Sequence, residues 1–211
     1  AHNADLLALL RKLAQLPQTD VVLISGRDKQ IMEQWFGALP LTLVAEHGAW
    51  IKRRSQQWEL IRALSAEWKA GVLPILEKYA DRIPGSLIEN KDYSLSWHYR
   101  MADQEQCLSR KQELIDDLVH FTANVDVTVV QGNKVVEVRN SSANKGAAVH
   151  DLLAGRRYGF VLCIGDDTTD EDMFKALPKY GIAIKVGVKD TAAEYYVKDY
   201  REVLHLLKKL G

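Results

Sequence analysis

Apolar residues follow two alternating spacings along this chain, one typical of helices and one typical of buried strands. A helix is predicted first, because five leucines recur on one helical face: Leu6, Leu9, Leu10, Leu13 and Leu16. The apolar run Val21–Ile24 follows and predicts a short buried strand that ends at Ser25. After residue 140 the alternation returns, with a helix over Asn144–Leu153 and a strand over Tyr158–Ile164. This rhythm predicts an α/β fold with a Rossmann-like parallel sheet core.

The pattern changes in the middle of the chain, after a Pro-Gly turn signal. Residues 86–139 predict strand, strand, helix, strand, strand, a unit of about 55 residues that is close to the lower limit for a domain with its own core. We therefore expect a core made of residues 1–85 and 140–211, with an inserted α+β cap domain at 86–139. The core includes a predicted helix near Ala66–Tyr79, which we expect Pro74 to interrupt.

Composition excludes several classes of function. Lys and Arg together number 28, as do Asp and Glu, so the chain lacks the overall basic field that binding to nucleic acid or to an anionic membrane requires. No apolar stretch approaches the ~20 residues of a membrane span. Cys107 and Cys163 have no metal-ligand spacing and form no disulfide framework, which predicts a reducing, cytoplasmic environment. We expect a small molecule as the partner, and neither nucleic acid nor a membrane.

Carboxylates crowd into the eight residues that follow the strand ending at Ile164. The segment is Gly165-Asp166-Asp167-Thr168-Thr169-Asp170-Glu171-Asp172. In open α/β sheets, ligands bind in the crevice outside the carboxyl ends of the strands. Acids crowded at that point repel one another, and a hard cation such as Mg²⁺ would compensate for this. The alternative is an acidic helix N-terminus, where Asp and Glu are favoured by capping and by the helix dipole.

Two further segments lie at points where an α/β site that handles phosphate would need them. Ser25-Gly26-Arg27 ends a buried strand, so a hydroxyl can donate to a phosphoryl oxygen while Gly26 permits close approach of the backbone. Asn144-Lys145-Gly146 opens a helix, so an ammonium group and free N–H groups can face the same anion. Each segment alone has an ordinary alternative: a common turn for the first, and a helix start with a solvated lysine for the second.

The order of a hydroxyl, a lysine and paired carboxylates resembles the haloacid dehalogenase superfamily of aspartyl-phosphate hydrolases. Further stretches are similar to the motifs of trehalose-6-phosphate phosphatases: Ala45–Trp50, Glu89–Leu95 with His98–Arg100, Glu137–Arg139 and Gly165–Phe174. Asn140 is a small departure, because the family usually has proline at that point. The resemblance runs along essentially the whole chain and implies Mg²⁺-dependent hydrolysis of trehalose 6-phosphate to trehalose and phosphate.

The resemblance also implies a role for individual residues. Ser25 and Lys145 would belong to the catalytic set. Asp166 would bind Mg²⁺ directly, whereas Asp167 and Asp170 would act through water or through neighbouring ligands. Contacts to the sugar would come from seven side chains of the core and the cap: Arg27, Glu46, His47, Glu89, Lys91, Ser94 and Glu137. For the cap residues the alternative is a solvated sheet face with an ion pair between Glu89 and Lys91, and His47 is equally compatible with a structural role.

The front of the chain departs from this family. The family's first motif, Asp-x-Asp-Gly-Thr, supplies the nucleophilic aspartate and the general acid and base, and no residue of this sequence matches it. We expect an N-terminally truncated form that is inactive alone, with a vacancy in the sheet between Val21–Ser25 and Val161–Gly165. One alternative is a non-catalytic domain that binds a sugar phosphate, for instance in a trehalose-6-phosphate synthase. Another is a phosphatase for a different phosphorylated sugar, such as sucrose phosphate.

Overall fold

The computed structural model describes residues 4–187 and 190–210, which form an α/β protein. Its helices are α1 (Ala4–Ala14), α2 (Lys29–Phe36), α3 (Lys69–Ala80), α4 (Gln104–Thr122), α5 (Lys145–Leu153), α6 (Asp170–Lys175) and α7 (Tyr200–Leu210). Its strands are β1 (Val22–Ile24), β2 (Thr42–Ala45), β3 (Trp50–Lys52), β4 (Glu59–Leu60), β5 (Leu87–Asn90), β6 (Ser94–His98), β7 (Val127–Gly132), β8 (Val135–Asn140), β9 (Val161–Gly165), β10 (Gly181–Val186) and β11 (Tyr195–Val197).

The chain divides into two compact units. The core unit comprises Ala1–Arg62 and Ala143–Gly211, and the inserted unit comprises Ala63–Ser142. The core unit is therefore discontinuous in sequence. The inserted unit begins earlier than the predicted 86–139 because it also contains α3.

The core unit contains two sheets. One has the order β1-β2-β3-β4, in which β1 and β2 are parallel and the other pairs are antiparallel. The other has the order β11-β10-β9 and is entirely parallel. Apolar side chains of both sheets are covered by helices, and Met32 of α2 and Phe174 of α6 are among the buried residues. The predicted parallel α/β core is confirmed.

A cavity of about 1610 Å³ lies in the core unit between β1 and β9, each the edge strand of its own sheet. Its walls include residues 21–25 along β1, residues 158–164 along β9, and apolar side chains of α1, α5 and α7. Within the part of the chain that the structure describes, neither β1 nor β9 has a strand partner on this side. The cavity lies where the sequence predicted a vacancy, between Val21–Ser25 and Val161–Gly165, and it is lined mainly by apolar residues. That a strand is missing from this place stays a prediction.

The inserted unit is an antiparallel sheet packed on helices. The sheet has the order β5-β6-β8-β7, and α3 and α4 pack against its apolar residues. Val72 and Leu76 of α3 are fully buried in the same cluster as Trp97 of β6. This burial is the physical reason why α3 belongs to the inserted unit rather than to the core, where the sequence pattern placed it. Pro74 lies inside α3, which continues past it to Ala80.

Two observations complete the fold. The short strand β11 was not predicted; it pairs in parallel with β10, with Lys185 opposite Tyr196 in the register. None of the helices in residues 4–187 and 190–210 is long and apolar enough to cross a membrane.

Candidate functional site

The turn after β1 carries the first predicted site residues. Ser25 continues the parallel pairing of β1, since its amide donates to the carbonyl of Val44 at 3.0 Å. The Ser25 hydroxyl accepts from the Arg27 amide at 3.2 Å, which closes a tight turn. Arg27 is exposed, and its guanidinium lies 4.6 Å from the centroid of the Trp35 ring. The side chains of Ser25 and Arg27 thus stand at the carboxyl end of a strand, where ligands bind in this class of sheet.

Backbone hydrogen bonds join the turn after β2 to the turn after β1. The amide of His47 donates to the Ser25 carbonyl at 2.9 Å, and the amide of Glu46 donates to the Arg27 carbonyl at 2.9 Å. The His47 ring lies directly over Gly26, so that any side chain at position 26 would overlap the imidazole. A larger residue at position 26 would therefore have to displace the His47 ring.

Backbone strain is concentrated in the same turn. Glu46, His47 and Gly48 have φ values of 47°, 57° and 119°. The left-handed region costs a non-glycine residue free energy and is found preferentially at functional sites. Glu46 and His47 are also both buried. Their strained, buried arrangement supports a functional role for the turn, although it is equally able to hold Ser25 in place.

Lys145 is the first residue of α5. Asn144 caps this helix, because its side-chain oxygen accepts from the Ala147 amide at 2.8 Å. A methyl group on Gly48 would lie 2.8 Å from the Asn144 carbonyl, so the turn after β2 packs tightly against the start of α5. On the other side, a methyl group on Gly146 would lie 2.5 Å from the Asp172 carbonyl of α6. The start of α5 is therefore held between the strained turn and the acidic segment.

The acidic segment separates into exposed and buried carboxylates. Asp166 and Asp167 follow β9 and are exposed. Asp170, by contrast, is buried, and its Oδ1 accepts from Lys145 Nζ at 2.6 Å. Its Oδ2 accepts from the Asp167 amide at 2.9 Å. Asp170 thus links the lysine of α5 to the loop that carries the two exposed acids.

Glu171 is compensated by a second buried lysine. Lys185 Nζ lies 3.1 Å from Glu171 Oε1 and donates to the Asp167 carbonyl at 2.9 Å. The Thr191 hydroxyl and the Ala192 amide also donate to this carboxylate. Burial alone would raise the pKa of Glu171, but the hydrogen bonds from Ala192, Thr191 and Lys185 outweigh burial and lower the pKa. The repulsion anticipated among the crowded acids is thus relieved in part by lysines.

The donor set of the loop fits a magnesium ion held by few protein ligands. Mg²⁺ prefers carboxylate oxygens, keeps several waters and is usually bound by one or two carboxylates. Asp166 and Asp167 supply two exposed carboxylates. Among residues 4–187 and 190–210, no three His, Cys, Asp or Glu side chains are grouped so that they could hold a metal ion by themselves. The residues present therefore fit part of a coordination sphere, in which water would take most of the remaining positions.

Ser25, Arg27 and Asp170 all line the cavity between β1 and β9, together with Cys163. Burial, with a smaller contribution from the Asp170 charge, raises the pKa of the Cys163 thiol to about 12. The thiol is therefore protonated near neutral pH and is a poor nucleophile. The cavity therefore borders the predicted phosphate site at Ser25 and Asp170, and the Cys163 thiol in its lining is not a reactive thiolate.

The inserted unit carries the other predicted sugar contacts. One carboxylate oxygen of Glu89 in β5, Oε2, contacts two side chains. His98 Nε2 lies 2.9 Å from it, and Lys91 Nζ lies 3.2 Å from it. The hydrogen bond with His98 is the main reason that the pKa of Glu89 is lowered, and Lys91 contributes. The ion pair between Glu89 and Lys91, which was the structural alternative, is therefore formed. Glu89, Lys91 and His98 thus form a cluster that the sequence alone did not predict.

A row of polar residues crosses the sheet of the inserted unit. Glu89 pairs with Ser96, and Ser96 pairs with Glu137, so these three share one face across β5, β6 and β8. Ser94 and Glu137 are both buried. The Ser94 hydroxyl has no hydrogen-bond partner among the residues that the structure describes. A buried polar group of this kind is costly unless a ligand or water satisfies it.

The structure thus gathers eight predicted residues within the core unit: Ser25, Arg27, Glu46, His47, Lys145, Asp166, Asp167 and Asp170. It gathers four in the inserted unit: Glu89, Lys91, Ser94 and Glu137. Two partners of these residues, His98 and Lys185, were not among the predicted site residues. Lys185 had a signal in the sequence, because a charge within the apolar run Gly181–Val186 must be compensated if the strand is buried.

Comparisons with known proteins identify the family. The trehalose-phosphatase family model matches residues 2–201. The bifunctional trehalose-6-phosphate synthase/phosphatase of Thermoproteus tenax is 39% identical over 208 residues, which cover 99% of this chain and 28% of that protein. The chain spans 26–28% of the length of the first five curated relatives that it matches.

Solved structures agree with this assignment. The C-terminal domain of C. albicans trehalose-6-phosphate phosphatase superposes with a TM-score of 0.89 at 31% identity, covering 99% of this chain and 84% of that one. A haloacid dehalogenase-like hydrolase from B. subtilis superposes with a TM-score of 0.71 at 15% identity, covering 99% of this chain and 93% of that one, and shows that the fold is haloacid dehalogenase-like. With a family model that matches nearly its whole length, this chain belongs to the trehalose-phosphatase family.

Proposed function

We propose that this chain forms the phosphatase part of a phosphoric monoester hydrolase that converts trehalose 6-phosphate into trehalose and phosphate. The observation that carries the proposal is the continuous set of contacts from Ser25 through the turn after β2 to Lys145, Asp170 and the acidic loop. A hydroxyl, an ammonium group, a helix N-terminus and two exposed carboxylates are thereby held in one unit. Such a set matches the needs of a phosphate dianion and a hard cation.

The core residues would bind the phosphate and the cation. The Ser25 hydroxyl and the Lys145 ammonium would donate to phosphoryl oxygens, and the first N–H groups of α5 would add partial positive charge. Asp166 would bind Mg²⁺ directly, with Asp167 beside it and Asp170 acting through Lys145 and the Asp167 amide. When bound, Mg²⁺ would supply positive charge that offsets the charge of the phosphate.

Recognition of the sugar is proposed for polar residues of the inserted unit. In the inserted unit, Glu89, Lys91, Ser94 and Glu137 offer paired donors and acceptors to a disaccharide, which carries many hydroxyls. The buried Ser94 hydroxyl supports this role, because a ligand would satisfy it. For the core unit taken by itself, the predicted sugar contacts of Arg27, Glu46 and His47 stay a prediction.

The reaction that the family resemblance implies needs two further carboxylates. One attacks phosphorus, and the other gives a proton to the departing sugar oxygen and later takes one from the attacking water. The printed sequence contains no Asp-x-Asp-Gly-Thr motif. We therefore expect residues 1–211 alone to bind trehalose 6-phosphate without hydrolysing it. A synthase domain as covalent partner is supported by the relative whose name includes both activities. A cytoplasmic location stays a prediction.

A second candidate function is that of a domain that binds a sugar phosphate without cleaving it. A phosphatase for another phosphorylated sugar is the third. A binding measurement reports sugar specificity independently of hydrolysis, because binding requires no nucleophile.

Binding is tested by adding the chain to trehalose 6-phosphate with Mg²⁺ and following the ³¹P signal. We expect saturable broadening of the trehalose 6-phosphate signal, and a much weaker effect on sucrose 6-phosphate and glucose 6-phosphate. The variant Asp166→Asn should abolish the Mg²⁺-dependent part of the effect. Equal effects on all three sugar phosphates would contradict the proposed specificity, and no effect on any would contradict the site itself.

A further inference from the structure

Lys185 lies at the start of the acidic loop although it comes from a different strand. It is the fifth residue of β10 and pairs in register with Gly165, the last residue of β9. Its relative exposure is 2%, which is unusual for lysine unless the ammonium group is fully paired. The fold therefore places a buried positive charge beside the point where the loop leaves the sheet.

The ammonium group of Lys185 connects three segments. It donates to the Asp167 carbonyl at 2.9 Å and to Glu171 Oε1 at 3.1 Å. Glu171 in turn accepts from Thr191 and from the Ala192 amide in the segment after β10. The loop, the helix α6 and the segment after β10 are thereby joined through one ion pair.

Lys185 and Lys145 have different hydrogen-bond partners. Lys145 pairs with Asp170, a residue that lines the cavity beside Ser25. Lys185 holds the backbone carbonyl of Asp167, and its charge is offset by the adjacent Glu171 carboxylate. The pair is electrically neutral, so its effect on a cation bound nearby is mainly geometric.

We propose that Lys185 is a positioning residue that fixes the backbone of Asp167 so that the Asp166 and Asp167 carboxylates are preorganised for a divalent cation. The inference rests on the proposed function of the loop as a Mg²⁺ site. Removing a residue that orients a metal ligand without touching the metal typically lowers metal affinity by about 10- to 100-fold. A loop that is already ordered also loses less conformational entropy when it binds the ion.

The test separates geometry from charge. The double variant Lys185→Met with Glu171→Gln removes the ammonium and the carboxylate together, so the net charge near the loop is unchanged. Mg²⁺ is titrated into the ¹⁵N-labelled chain without substrate, and the apparent Kd is obtained from the amide signals of residues 165–168. We expect the Kd of the double variant to rise by about tenfold or more. Thr191→Val is the matched control: it removes one donor to Glu171, leaves the bond from Lys185 to Asp167 in place, and should leave the Kd unchanged.

An apparent Kd within about twofold of the wild-type value, in a double variant that keeps its amide dispersion, would overturn the positioning role. If that variant does not fold, the wild-type chain provides a second readout, because the Lys185 Nζ signal should shift with the same midpoint as the Asp167 amide. A stationary Nζ signal would overturn the proposal. A failure of the Mg²⁺ site itself is recognised separately, because the wild-type chain and Asp166→Asn would then give the same titration.

Discussion

The two units hold their carboxylates in different ways. In the core unit, Asp170 and Glu171 are paired with lysines whose side chains are only 8% and 3% exposed. In the inserted unit, the Glu89 side chain is 36% exposed, and its partners His98 and Lys91 are 35% and 10% exposed. Breaking a buried pair leaves an uncompensated charge and is costly, whereas an exposed pair contributes little. The core therefore uses its buried ion pairs to hold one geometry, whereas the more exposed Glu89 contributes less to the stability of the inserted unit.

Removal of the Lys145 ammonium should have the largest effect on stability. Lys145→Met leaves the buried Asp170 carboxylate without its partner, and we expect a loss of about 3–5 kcal/mol in the free energy of unfolding. Urea denaturation measures the change. Combining the substitution with Asp170→Asn removes the buried charge and should recover part of the loss, while a double variant as unstable as the single one would contradict this explanation.

A methyl group at Gly165 should be the next most damaging change. The Cβ of Gly165→Ala would overlap the Asp170 side chain, so we expect a loss of about 1–3 kcal/mol from overpacking. Gly159→Ala, just before β9, is the control, because its Cβ would meet no atom within 4 Å. Thermal unfolding should separate the two variants, and equal midpoints would show that Asp170 is not held where the structure places it.

In the inserted unit, Glu89→Gln should cost less, about 1 kcal/mol at most, because the side chain is more than one-third exposed. The pKa of Glu89 is lowered in the folded state, mainly by His98, so its contribution is present at pH values above the ordinary value of 4.5. The contribution is lost as the pH falls below 4.5 through the folded pKa. Urea denaturation at several pH values should therefore show the two proteins converging in acid. A difference that grows as the pH falls would contradict the pairing.

The smallest effect on stability is expected for Asp166→Asn. Asp166 is exposed, so the free energy of unfolding should change by no more than about 0.5 kcal/mol, while the response to Mg²⁺ should disappear. Denaturation with and without Mg²⁺ measures both quantities. Retention of the wild-type Mg²⁺ response would remove Asp166 from the metal site.

Much of this arrangement could be predicted from local patterns. Helical and strand periodicities differ clearly in Leu6–Leu16 and Tyr158–Ile164, and parallel strands bring their carboxyl ends to one edge. Ser25 and the acidic loop were therefore expected near each other. The sequence pattern does not show which lysine pairs with which carboxylate. That Lys145 pairs with Asp170, and Lys185 with Glu171, depends on the register of β9 and β10 and on the packing of α5 against α6.

Other features were missed for related reasons. Three residues, Tyr195–Val197, are too short to show the alternation of a strand, and Tyr195 and Tyr196 are both exposed. The helix α3 has apolar residues that either unit could bury, so its sequence does not say which unit it joins. Pro74 removes a single backbone donor, and burial of Val72 and Leu76 is sufficient to keep that helix continuous.

We propose that the core unit binds phosphate and Mg²⁺, and that hydrolysis needs a carboxylate pair that this sequence does not contain. The most direct test measures phosphate release from trehalose 6-phosphate and Mg²⁺ by residues 1–211, with and without a synthetic peptide. The peptide has five apolar residues, the length of β9, followed by Asp-x-Asp-Gly-Thr, so that it can pair with β1 and β9 in the cavity. We predict no release by the chain alone, release with the peptide, and none when the first Asp of the peptide is replaced by Asn. Release by the chain alone, or its absence with a peptide that binds in the cavity, would contradict the claim.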